Sequence, residues 1–251
     1  MKRGEEEMKS RFKNVREKLQ FIEKLCDDNN QSIVEKLTIL DSLSKDCNAE
    51  VRWTLASQLV LFDHPEIEKL LCNMLSDKNS LVRLEALDSL SIGRQPETIE
   101  KVKTMLTNEG KLIRAYAVLT LFDLLLNCYG DNETTFDMYR EATAESLRQE
   151  HNPRVLLEYY HNQYLMGEGQ GLQQLKELYE DAVEKQFYHL IWPLLHTFQE
   201  IQNEKNAGDI KEVLGYEMEK LLLVQRELVE EIIGERICEL VKEDSHQASY
   251  P

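Results

Sequence analysis

Glycine and proline are scarce in this chain, at 10 and 5 of 251 residues. Both residues interrupt regular structure, and chains that consist mostly of turns or extended linkers are rich in them. Leucine, glutamate and lysine, which favour helices, are abundant instead. The composition therefore predicts an all-α protein of ample length for a sizeable core.

Long apolar runs are also missing. No segment approaches the roughly 18 consecutive apolar residues of a membrane-spanning helix. The first residues, MKRGEEEMKSRFK, are charged and lack the apolar core of a signal peptide. We therefore expect a soluble cytoplasmic protein that does not bind membranes.

The cysteines are odd in number and widely separated, and no two of them form a CxxC pair; they are Cys26, Cys47, Cys72, Cys128 and Cys238. This pattern argues against a disulfide framework or a zinc knuckle. The motifs GxSxG and HExxH, the P-loop, the dinucleotide fingerprint and the kinase set are all absent from the sequence. We therefore predict no catalytic residue, no metal and no cofactor.

Acidic residues outnumber basic ones by 46 to 30, a net charge of −16, and the excess lies in the second half of the chain. Residues 1–130 hold 19 Lys/Arg and 21 Asp/Glu, a net of −2, and residues 131–251 hold 11 and 25, a net of −14. Such a field repels nucleic acid, whose binding depends on Lys and Arg. It favours a basic protein partner, unless the acidic surface serves only solubility.

An internal repeat organises the first half. The dipeptides Val51-Arg52, Val82-Arg83 and Ile113-Arg114 follow one another at intervals of 31 residues. The same interval relates other positions: Leu55, Ala86 and Ala117; Leu59, Leu90 and Leu121; Asp46, Asp77 and Asn108; Pro65 and Pro96. Positions 0, +4 and +8 from the Val or Ile share one helix face, so we expect this stripe to be buried.

The pattern D-x-x-x-x-V-R-x-x-A-x-x-x-L, seen in Asp77, Val82, Arg83, Ala86 and Leu90, resembles the short HEAT repeat that is common in bacterial proteins. The resemblance covers residues 31–127. It implies a right-handed α-α superhelix, that is, a HEAT-like solenoid of antiparallel helix pairs whose inner helices line a concave surface.

Four regions are predicted around this array. Residues 1–30 form a charged lead-in and a capping helix, and residues 31–127 hold the regular repeats. Residues 128–203 hold degenerate repeats, including a fourth inner helix that begins near Val155. Residues 204–251 form a long amphipathic helix and a tail, and this helix either caps the stack or binds a partner.

The inner helices present two kinds of polar side chain. Arg52, Arg83 and Arg114 are predicted to be structural, linking repeats by pairing with the carboxylates of the turns. Positions +2, +3, +6 and +10 lie roughly opposite the buried stripe. They select a candidate partner-binding face: Trp53, Thr54, Ser57, Glu85, Asp88, Tyr116, Asp123, Glu158 and His161.

An exposed Trp and Tyr beside carboxylates are typical of a binding site for an Arg-rich or Lys-rich surface. The competing interpretation is that Trp53 packs against a neighbouring helix. We predict a non-catalytic binding protein with a basic protein partner, either a bacterial immunity or inhibitor protein or a scaffold.

The alternative is an enzyme built on the array, resembling the DNA glycosylases or bilin lyases of this class. Trp53, Tyr116 and Asp123 would then line a catalytic groove, but the overall acidity argues against duplex binding.

Overall fold

The computed structural model describes residues 12–28 and 31–203. The predicted helix over residues 209–243, the tail after it and the lead-in of residues 1–8 lie outside the described residues. The chain divides into two compact units, Met1–Asn162 and Gln163–Pro251.

The described residues form eleven α-helices and contain no strand. In chain order the helices are α1 Val15–Asp27, α2 Ile33–Leu43, α3 Ala49–Leu59, α4 Pro65–Met74, α5 Ser80–Leu90, α6 Pro96–Lys103, α7 Lys111–Tyr129, α8 Glu133–Gln149, α9 Pro153–Leu165, α10 Gly169–Glu184 and α11 Tyr188–Asn203. A short 3₁₀ helix, Thr104–Thr107, extends α6.

The first unit is a two-layer stack. Helices α1, α3, α5 and α7 pack side by side in an inner layer, and α2, α4 and α6 pack in sequence as an outer layer. Helix α8 continues the outer layer, since it packs on α7 and on the 3₁₀ helix. The predicted N-terminal capping helix is thus the first inner helix, beside α3.

Burial of the repeating stripe confirms the expected core. Positions 0, +4 and +8 of α3, α5 and α7 are all 2% exposed or less; they are Val51, Leu55, Leu59, Val82, Ala86, Leu90, Ile113, Ala117 and Leu121. The small side chains of Ala86 and Ala117 suit the close approach of neighbouring helices.

The helix ends follow from local chemistry. Pro65 and Pro96 occupy the first turns of α4 and α6, where a missing N–H costs no hydrogen bond. The side chains of Asn48 and Asn79 cap α3 and α5 by accepting hydrogen bonds from backbone N–H groups of the first turn. These caps set where α3 and α5 begin.

Helix α7 is the most apolar of the inner helices. By length and composition it passes the test for a membrane span, with 19 residues and a mean hydropathy of 1.4, and it alone does so in the part of the chain described. Half of this apolar stretch is buried inside the protein, and α7 packs against α5, α6 and α8. A core helix of a soluble protein has the same character.

In the second unit, α10 and α11 pack together. One face of α11 is buried, including Leu190, Leu194 and Phe198. Trp192 and Phe187, which precedes the helix, are instead 50% and 40% exposed. The large apolar residues of this segment are therefore divided between a buried face and an exposed one.

Candidate functional site

A ladder of ion pairs runs along the turn edge of the stack. Arg52 on α3 donates from Nε and Nη2 to the two carboxylate oxygens of Asp77, at 2.6 and 2.8 Å. Its Nη1 donates to the backbone carbonyl of Asp46 at 2.7 Å. Asp77 also accepts from the N–H of Asn79 at 2.8 Å. The prediction that Arg52 links repeats through a turn carboxylate is confirmed.

Two further pairs extend the ladder. Lys18 on α1 pairs with Asp46 at 2.5 Å. Arg114 on α7 donates to both carboxylate oxygens of Glu150, with Nε to Oε2 at 2.6 Å. The structural role predicted for Arg114 is therefore also confirmed, with a partner that the repeat spacing did not indicate.

Arg83 is the exception in this ladder. Its Nη1 donates to the carbonyl of Asp77 at 2.7 Å, as Arg52 does to Asp46 one repeat earlier. Asn108 replaces the turn carboxylate, and the buried Nε of Arg83 has no hydrogen-bond partner among the described residues. The predicted pairing with a carboxylate is wrong for Arg83, because an amide takes the place of the acid.

A second ladder, which the sequence analysis missed, joins neighbouring inner helices through side chains that donate to backbone carbonyls. The hydroxyls of Ser89 and Thr120 donate to the carbonyls of Ala56 and Leu87, each at 2.9 Å. Asn162 donates to the carbonyl of Val118 at 3.3 Å. The available signal was that Ser89 and Thr120 are again 31 residues apart.

The predicted partner-binding residues on α3, α5 and α7 lie between these hydrogen-bonded and ion-paired side chains and remain accessible to solvent. Trp53 is 42% exposed and Asp88 is exposed, and the other predicted positions on α3, α5 and α7 are half-buried. We define the inner face by these residues: Trp53, Thr54, Ser57, Glu85, Asp88, Tyr116 and Asp123. The ring of Trp53 is therefore only partly covered by its neighbours.

On α9 the prediction partly fails. Glu158 is 3% exposed and pairs with Arg154, so its assignment to the exposed face is wrong. Arg154 stands one position before Val155, whereas in the regular repeats the arginine follows the Val or Ile. This position places Arg154 one helical turn from Glu158. Burial lowers the pKa of Arg154, and nearby Tyr116 opposes that shift. His161 is half-buried.

Three carboxylates of the inner face have no ion-pair partner among the residues that the structure describes: Glu85, Asp88 and Asp123. Burial raises the pKa of Asp88. Burial and, secondarily, the charge of Asp88 raise the pKa of Asp123 to about 6. The neighbouring inner helices α5 and α7 therefore bring together two carboxylates that lack a cation.

This pair predicts a pH effect on stability. A carboxyl with a raised pKa in the folded state contributes stability below its unfolded pKa, and that contribution is lost as pH rises through the folded pKa. Wild-type stability should therefore fall relative to Asp123→Asn between about pH 4 and 7, with a gain for the variant of about 1 kcal/mol at neutral pH after solvent screening.

Urea denaturation at several pH values measures this difference. Asp131→Asn, at an exposed carboxylate, is the matched control and should follow the wild type. Parallel pH profiles for Asp123→Asn and wild type would contradict the raised pKa of Asp123.

Within residues 12–28 and 31–203, no group of three or more His, Cys, Asp or Glu side chains is placed to hold a metal ion. On α11, His196 lies 3.4 Å from the carboxylate of Glu200, an i,i+4 pair on an exposed surface.

Comparison with known proteins identifies the repeats. A family model described as HEAT repeats matches residues 37–121. No curated protein matches the sequence. A crystal structure described as an engineered protein is similar over 82% of this chain and 92% of its own, with 14% sequence identity and a TM-score of 0.41. The family match shows that residues 37–121 are HEAT repeats, and the described part of the chain is all-α.

Proposed function

We propose that this chain, whose residues 37–121 are HEAT repeats, is a non-catalytic protein-interaction module that binds a basic partner on its inner face. One observation carries the proposal. Glu85, Asp88 and Asp123 are accessible on adjacent inner helices and have no cation within ion-pair distance in the described part of the chain. A Lys or Arg of a partner would supply the missing charge.

The electrostatics support the same partner class. A cation placed between Asp88 and Asp123 would lower the pKa of Asp123 and remove the repulsion between the two carboxylates. The exposed ring of Trp53 and the half-buried ring of Tyr116 can each hold a cationic side chain against a face. The net charge of −16 would steer a basic protein to the surface, so binding should weaken with salt.

Two kinds of cytoplasmic protein fit this surface. An immunity or inhibitor protein would mask the nucleic-acid-binding surface of a cationic toxin, and charge matching would speed its association. A scaffold would hold a basic protein within an assembly. No observation on the described residues favours the enzyme alternative over these two.

Charge reversal on α5 tests the proposal. The double variant Glu85→Lys/Asp88→Lys is expected to weaken binding of a basic partner about 100-fold, since two attractive contacts become repulsive at the centre of the face. The partner is captured from the native host at low salt, identified, purified, and titrated by calorimetry against each variant. Circular dichroism and thermal melting check that the fold is intact.

A matched control separates the effect of the inner face on binding from the effect of the overall net charge. Glu97→Lys/Glu141→Lys makes the same change in net charge on exposed positions of the outer helices α6 and α8. It should weaken binding only slightly. If the inner-face variant binds as tightly as this control, the proposed site is wrong; if the captured partner is acidic, the proposed partner class is wrong.

A further inference from the structure

The junctions between inner helices are not equivalent, although the repeat is regular. At the α3/α5 junction the guanidinium of Arg52 holds Asp77 through two hydrogen bonds of 2.6 and 2.8 Å. At the α5/α7 junction the equivalent guanidinium, Arg83, has the same backbone anchor and no carboxylate. One complete rung of the ladder is therefore missing between α5 and α7.

The helix ends at this junction also differ from those one repeat earlier. The outer helix ends at Lys103 and continues as a 3₁₀ turn, Thr104–Thr107, immediately before Asn108. Helix α7 then begins after Gly110 without a side-chain cap, whereas Asn79 caps α5 through the N–H groups of Leu81 and Val82. Short 3₁₀ pieces and uncapped helix starts open locally more easily than capped α-helix.

At its other end the same junction carries like charges. Asp88 on α5 and Asp123 on α7 act on each other electrostatically. No cation pairs with either carboxylate in the ranges that the structure describes. Between the two weak ends, the hydroxyl of Thr120 holds α7 to the carbonyl of Leu87 at 2.9 Å, as Ser89 holds α5 to Ala56.

From these contacts we propose that the α5/α7 junction is a hinge within the array, which opens at the turn around Asn108 and rocks about the Thr120 hydrogen bond. The hinge does not depend on the proposed function. The hinge adjusts the spacing of the two helices that carry the carboxylates of the inner face. A surface with an adjustable spacing can fit the positions of a partner's cations.

Hydrogen exchange measured by mass spectrometry on the partner-free protein tests the hinge. Residues 104–118 span this junction, and residues 73–87 are the equivalent segment one repeat earlier. Amides in 104–118 should exchange faster than those in 73–87. Asn108→Asp restores the carboxylate that Arg83 lacks, and it should slow exchange in 104–118 about tenfold, the factor for ~1.4 kcal/mol. The slowing should be smaller in 73–87, which contains Arg83 itself and already has the Asp77 ion pair.

The reciprocal variant, Asp77→Asn, should transfer fast exchange to residues 73–87. Equal protection of the two segments in the wild type, or no slowing in Asn108→Asp, would overturn the hinge. If Asp77→Asn does not fold, the Asn108→Asp comparison still decides the outcome. Because no partner is present, failure of partner binding in the calorimetric experiment would leave this result unaffected.

Discussion

Replacing Arg52 with alanine is expected to lower the free energy of unfolding by about 3–5 kcal/mol, the usual cost of removing one partner of a buried ion pair. The side chains of Arg52 and Asp77 are only 4% and 10% exposed, so the remaining carboxylate would stay buried without its cation. The variant also loses the hydrogen bond from Nη1 to the carbonyl of Asp46. Urea denaturation monitored by circular dichroism measures the change.

Arg140→Ala is the control for this prediction. Arg140 pairs with Glu133 and Asp137 at the surface, where its side chain is 36% exposed and theirs are about 70% exposed. Such pairs contribute under about 1 kcal/mol. Equal losses in the two variants would show that Arg52 does not link the repeats.

The pH dependence of the Arg52 effect follows from its partner. Burial acts to raise the pKa of Asp77, but the hydrogen bonds from Arg52 and from the N–H of Asn79 outweigh it and hold that pKa below its ordinary value. A lowered pKa contributes stability above the unfolded pKa, and the contribution is lost as pH falls through the folded pKa. The difference between wild type and Arg52→Ala should therefore shrink at strongly acidic pH.

The repeat period made the Arg52 rung predictable, because the arginine and the turn carboxylate recur together. Arg114 has the same role, yet its partner Glu150 lies 36 positions later, whereas Asp77 follows Arg52 by 25. The longer helices α7 and α8 displace the turn that carries the carboxylate. A fixed period cannot locate a contact across an insertion.

The inner face was predictable from helical angles on α3, α5 and α7, because the same positions, 0, +4 and +8, are buried in all three helices. On α9 the order of cation and Val155 is reversed, and the same angles misplaced Glu158. The proximity of Asp88 and Asp123 depends on how α7 is staggered against α5. Such a stagger is a property of packing and is not contained in the pattern of either helix.

Glu68→Ala is expected to cost about 2–4 kcal/mol, because it leaves two part-buried N–H groups and one buried hydroxyl without an acceptor. Glu68 on α4 is 7% exposed and accepts hydrogen bonds from the N–H groups of Arg94 and Gln95, at 2.8 and 3.1 Å, and from the hydroxyl of Thr98 at 3.1 Å. Gln95, at the start of α6, makes no capping hydrogen bond with its own side chain. The carboxylate of the preceding outer helix therefore caps α6, where a negative charge is also favoured by the helix dipole.

The loop before α6 is built closely around this carboxylate. A Cβ at Gly93 would lie 2.8 Å from Oε2 of Glu68, so only glycine allows the backbone to approach it. Glu68→Gln keeps the shape but turns one acceptor into a donor facing N–H groups, and it should fall between wild type and Glu68→Ala. Glu100→Ala, at an exposed carboxylate of α6 paired with Lys103, is the control and should change stability by less than about 0.5 kcal/mol. Equal losses of stability in Glu68→Ala and Glu100→Ala, measured by chemical denaturation, would contradict the capping role of Glu68. Apolar packing alone would then set the spacing of successive outer helices.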